Sequence, residues 1–126
     1  MDSKPDDLHD FFGTRPREYR VERHNDLDML FTGWEISRAR LDDHTGSRWT
    51  EATLYMSTTG SYVVNIRQGG TSLPSISRGA ADAAFTGILK WMREDNRGAL
   101  GGASKRIVAV ATERLPWLSG EDVVHV

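Results

Sequence analysis

Between residues 30 and 41 apolar and polar positions alternate, with Leu30, Trp34 and Ile36 on one parity and Phe31, Ala39 and Leu41 on the other. A period of two marks a half-buried strand. The change of parity predicts a bulge or bend at Gly33. Residues 19–23 alternate more weakly, as a further strand. Residues 49–56 and 61–67 are rich in β-branched and aromatic side chains and flank Ser57-Thr58-Thr59-Gly60, whose glycine can take the positive φ of a tight reversal. This hairpin places Tyr62, Val64 and Ile66 on the same side as Ala52, Leu54 and Met56. The polar stretch 42–47 reads as the hairpin loop before it.

The period then changes. Residues 68–74 close the sheet region, and Ser77 is placed to cap a helix running to about Asp95, because Ala81, Ala84, Phe85, Ile88, Leu89 and Met92 recur every three or four residues. Asn96-Arg97-Gly98 is a suitable stop. Residues 103–115 read either as a second helix, with Ile107, Val110, Ala111 and Leu115 on one side, or as a buried strand through 107–111. Strands early and helices late predict an α+β domain: an antiparallel β-meander of three or four strands followed by one or two helices packed on one face. Residues 1–15 read as a mobile acidic N-terminal arm whose Leu8, Phe11 and Phe12 suit a short docking helix, with 16–126 forming the single domain. Residues 123–126 form a β-like tail.

Composition narrows the function. At 126 residues the chain encloses one core, to which four Trp, four Phe and three Tyr contribute despite a hydrophobic share of 38%. Sixteen basic against eighteen acidic side chains give a net charge of −2, so no excess of one sign attracts nucleic acid or an acidic membrane over the whole surface. The absence of cysteine excludes disulfides, thiol catalysis and thiolate metal sites. An acidic start without an apolar run, and no stretch near the roughly 20 apolar residues a bilayer requires, lead us to expect a cytoplasmic protein without a membrane partner.

Candidate chemistry is sparse. Gly98-Ala99-Leu100-Gly101-Gly102-Ala103-Ser104-Lys105 invites comparison with phosphate-binding loops, but Ser104 stands where a glycine must precede the lysine, so it reads as a linker. His9 with Asp6, Asp7 and Asp10, His44 with Asp42 and Asp43, and His125 with Glu121 and Asp122 are short acidic clusters; each falls in an arm, loop or tail that lacks a rigid surrounding shell. His24, near Asp26 and Asp28, is no stronger. No Gly-x-Ser-x-Gly elbow is present. Glu35 and Glu51 lie on strands, where pairing with Arg38, Arg40 or Arg48 is the expectation. These readings give no catalytic, cofactor-binding or metal residue.

The order of Phe31-Thr32-Gly33-Trp34, the strand ending Thr53-Leu54-Tyr55-Met56, the turn Thr58-Thr59-Gly60 and the strand Tyr62-Val63-Val64 resembles small actinobacterial proteins of the EXLDI family. Where that family carries Glu-x-Leu-Asp-Ile near its end, this chain reads Asp122-Val123-Val124-His125-Val126. The resemblance implies an α+β order and an actinobacterial setting, and it brings no activity or catalytic residue.

The expectation is therefore a small non-enzymatic interaction or regulatory module that binds a protein partner or associates with its own copy, without a cofactor. Trp91 and Trp117 either pack on the sheet or project into a partner, and Val123 and Val124 can add a strand to a neighbour. The alternative is a nucleic-acid-binding regulator using Arg38, Arg40 and Arg67 on a sheet face, with Trp34, Trp49, Tyr55 or Tyr62 for stacking. Against it, residues 15–48 hold seven Arg and seven acids. A third expectation is a small-ligand pocket between sheet and helix, lined by Trp34, Tyr62 and Phe85.

Overall fold

In the computed structural model, which describes residues 4–24 and 26–120, the weakly alternating segment forms β1 (Arg17–Val21) and the long one forms β2 (Met29–Asp42). The parity change in β2 is a β-bulge, and it lies between Glu35 and Ser37 rather than at Gly33. Ile36 is the extra residue, so Ile36 and Ser37 are both buried. Phe31 consequently faces away from Ala39 and Leu41. Gly33 serves close approach instead: a Cβ there would stand 2.0 Å from the Met56 carbonyl oxygen.

The firmest sequence pattern becomes β3 (Arg48–Ser57) and β4 (Tyr62–Gly70), joined through Gly60 at φ 87°. Opposed pairs such as Leu54 with Val64 and Ala52 with Ile66 set its register.

The chain then makes one strand more than the pattern predicts. Residues Leu73–Asp82 form β5, antiparallel to β4, completing a five-stranded meander of order β1-β2-β3-β4-β5. Ser77 therefore does not cap a helix. Ala81 and Ala84, in step with the helical period, precede the helix α2 (Phe85–Asp95). The helix starts at the N-cap Ala84, which has no side-chain cap; the Asp82 carboxylate accepts a hydrogen bond from the Ala84 N–H in the turn just before it. Residues Gly102–Arg114 form the second long helix, α3, which settles the ambiguity at 103–115, and a 3-10 helix follows at Pro116–Gly120.

One sheet face carries the main core. Trp34, Ile36, Leu54, Met56, Tyr62, Val64 and Ile66 meet Phe85, Ile88, Leu89 and Met92 of α2 and Ile107, Val108 and Ala111 of α3. The apolar cluster of the N-terminal arm docks on this core as a short helix, α1 (Leu8–Phe12), with Leu8 buried and Phe12 stacked on Trp34 at 4.6 Å. Among the described residues, no helix is long and apolar enough to cross a membrane.

The sheet curls until its two edge strands meet. Beyond β1, the His24 N–H donates to the Ser77 carbonyl at 2.6 Å, while the Ser77 hydroxyl donates to the Glu22 carbonyl at 2.6 Å. A glycine on β5 permits this contact: a Cβ at Gly79 would lie 2.7 Å from Val21 Cγ1 and 2.8 Å from the Val64 carbonyl oxygen. The curl also builds a second apolar cluster on the face away from the helices, where Val21, Tyr55 and Val63 are buried and Tyr19, Met29 and Phe31 pack around them.

Candidate functional site

Strand pairing fixes what the open face presents. Arg38, Thr53, Asn65 and Gly79 form one cross-strand row, and Arg40, Glu51, Arg67 and Ser77 form the next. A cleft of about 240 Å³ lies here, lined by residues of all five strands together with Glu22, which follows β1. Beside it sits the aromatic cluster, in which Tyr19 and Tyr55 approach to 4.7 Å.

The floor consists of polar side chains removed from bulk water. Thr53 is 2% exposed, Tyr55 7% and Asn65 8%. The Asn65 amide is fixed in orientation: Nδ2 donates to Ser77 Oγ and to the Arg78 carbonyl, each at 2.9 Å. Because Ser77 spends its own hydrogen on Glu22, it can only accept from Asn65. Both amide hydrogens are thereby used, and no described residue donates to Oδ1, which remains an acceptor for the cleft. Burial holds the Tyr55 phenol above its ordinary pKa of 10.0, so it stays protonated near neutrality and can donate a hydrogen bond.

The charged residues divide into engaged and unengaged. Arg38 donates to Glu35 through Nε at 3.2 Å and Nη2 at 2.7 Å, and this hydrogen bonding raises its pKa. Arg20 pairs with Asp28 at 2.7 Å and lowers that carboxyl below its ordinary range, chiefly through the hydrogen bond. Glu51, its side chain 18% exposed, has its nearest cation, Arg38, at 3.8 Å. Arg67 and the Glu22 carboxylate have no hydrogen bond or ion pair among the described residues.

The arginines predicted from sequence thus share a face but not one role. Arg38 and Arg67 border the cleft. Arg40 lies outside it, paired with Asp42 at 3.3 Å and with its guanidinium 4.8 Å from the Trp49 ring centre. Of the proposed stacking residues, Trp34 and Tyr62 are in the main core and Tyr55 is in the second cluster; Trp49 is half-buried under Arg40. The pocket expected between sheet and helix is filled: Trp34, Tyr62 and Phe85 are buried, and Tyr62 meets Phe85 edge to face at 5.4 Å.

Trp117 is 5% exposed and donates to the Tyr62 hydroxyl at 2.8 Å, so its surface is spent on the core. Trp91 is half-buried at the core margin. Val123 and Val124, and the cluster of His125 with Glu121 and Asp122, lie outside the described residues. Among the described residues, no three of His, Asp and Glu assemble as a metal-holding group. Sequence reasoning missed the floor residues Thr53, Asn65 and Ser77. The pairing of Tyr62, Val64 and Ile66 as core already implied that Asn65 faces the other way, and that parity was the available signal.

No protein-family model matches the chain, and no curated protein or solved structure matches it.

Proposed function

We propose that the chain is a small non-enzymatic interaction module that recognises a protein partner through the open face of its curled sheet. The observation that carries this reading is the gathering of polar side chains from all five strands into one cleft, while the opposite face is consumed by α2 and α3. A sheet face with buried, hydrogen-bonded polar groups is oriented before any partner arrives, which lowers the ordering cost of binding. A photo-crosslinking side chain at Arg67, compared with one at the exposed Lys90 on the outside of α2, tests which face is used. Partner crosslinks in the native host that concentrate at position 67 support the reading; crosslinks at position 90 alone overturn it.

The nucleic-acid alternative draws on Arg38, Arg40 and Arg67 sharing this face. Glu35, Glu51 and Asp42 stand beside them on the same face, so positive and negative groups balance and counterion release has little to draw on. The alternative requires an affinity for mixed DNA or RNA that falls steeply with salt. An affinity that is undetectable at low salt removes it.

A further inference from the structure

We propose that the cleft between β1 and β5 is a binding site for a small zwitterion of the free α-amino-acid type, with the ammonium group on Asn65 Oδ1 and Glu51 and the carboxylate on Arg67. The inference rests on the open face being the recognition surface and adds a small-molecule ligand to it.

Three observations point the same way. Asn65 is more than nine-tenths buried, its amide is locked by Ser77 and Arg78, and its oxygen has no donor among the described residues and is open to solvent in the cleft, where a ligand that donates hydrogen bonds can take the place of water. Glu51 stands directly opposite Arg67 in the β3–β4 register and has no cation nearer than 3.8 Å, which leaves it able to take a positive group. Arg67 carries a guanidinium with no partner among the described residues and matches a carboxylate in planar, two-point geometry. A simple anion would face Glu22 and Glu51 across the cleft, and a simple cation would face Arg20, Arg38 and Arg67. A molecule that carries both charged groups on one carbon avoids both repulsions. The volume of about 240 Å³ admits a small amino acid.

The test is an amide-resolved NMR titration of the full chain with the common L-amino acids added singly, and with propionate and ethylamine as the two single-charge halves of alanine. The expected result is saturable shifts confined to Glu51, Thr53, Asn65, Arg67 and Ser77 for at least one amino acid, with propionate and ethylamine binding at least about tenfold more weakly. Arg67→Ala and, separately, Glu51→Gln each reduce that affinity about tenfold while the remaining spectrum keeps its dispersion. The inference is overturned if propionate binds as well as the amino acids, if Arg67→Ala leaves affinity unchanged, or if no amino acid shifts the cleft. If no amino acid binds while partner crosslinks still form at position 67, the small-ligand inference alone fails; loss of those crosslinks removes the interaction reading as well.

Discussion

Replacing Ser77 by alanine removes the hydroxyl that ties β5 to β4 and to the residue following β1. Its hydrogen reaches the Glu22 carbonyl at 2.6 Å and its oxygen accepts from Asn65 Nδ2 at 2.9 Å. A typical intramolecular hydrogen bond contributes about 0.5–1.5 kcal/mol net, so two together amount to roughly 1–3 kcal/mol. Water entering the cleft can take over part of the Asn65 bond, which places the expected loss near the middle, about 2 kcal/mol. In a chain of this size that corresponds to roughly 6–10 °C in Tm. Urea unfolding followed by Trp fluorescence measures the loss directly, with Ser75→Ala, an exposed position on the same strand, as the control expected within about 0.5 kcal/mol of the parent. Ser77→Thr keeps a hydroxyl at a strand position and restores at least half of the loss. A Ser77→Ala change below about 0.3 kcal/mol, or one no larger than the control, refutes the reasoning that this hydroxyl holds the strands together.

Three further outcomes follow from the same geometry. Gly79→Ala drives a methyl against Val21 Cγ1 and the Val64 carbonyl oxygen; it destabilises by about 1–3 kcal/mol and speeds hydrogen exchange at the His24 amide, and unchanged exchange there contradicts it. Trp117→Ala empties a buried volume and deletes the bond to Tyr62, costing about 3–5 kcal/mol in urea unfolding, whereas a cost below about 1 kcal/mol means that the indole is not packed in the core. Asp43 accepts from Thr45 and Ser47 in the β2–β3 loop, and these bonds, that of the Thr45 side chain foremost, hold its carboxyl below the ordinary 3.8. Because the folded pKa is the lower one, its contribution to stability is complete above the unfolded value and disappears as pH falls through the folded value. A carboxyl ¹³C titration with its midpoint below 3.8, moved upward by Thr45→Val, meets this expectation; a midpoint at or above 3.8 in the parent does not.

What the sequence disclosed follows the strength of each periodic signal. The β3–β4 hairpin was legible because both strands alternate cleanly and Gly60 marks the reversal. β5 was not, because Ala80 and Ala81 suit either period and Ala81 and Ala84 fall in step with the true helix, extending its apparent start backward. Pairing with β4 and the clasp at Ser77 decide the matter, and both are long-range. The bulge was legible in kind but misplaced by about three residues, since an extra residue shifts parity without naming itself. Of the candidate site, Arg38 and Arg67 were visible as a charged sheet face. The cleft was not, because it depends on β1 folding over β5, and no local pattern encodes how far a sheet curls.

The contact on which the cleft depends is that between Val21 and Gly79, and a ¹³C-edited NOESY spectrum reads it directly. The account predicts cross-peaks from the Val21 methyl groups to the Gly79 α-protons, together with a protected His24 amide. A spectrum with no cross-peak between residues 19–24 and 77–81 would leave the sheet open and the cleft without its wall.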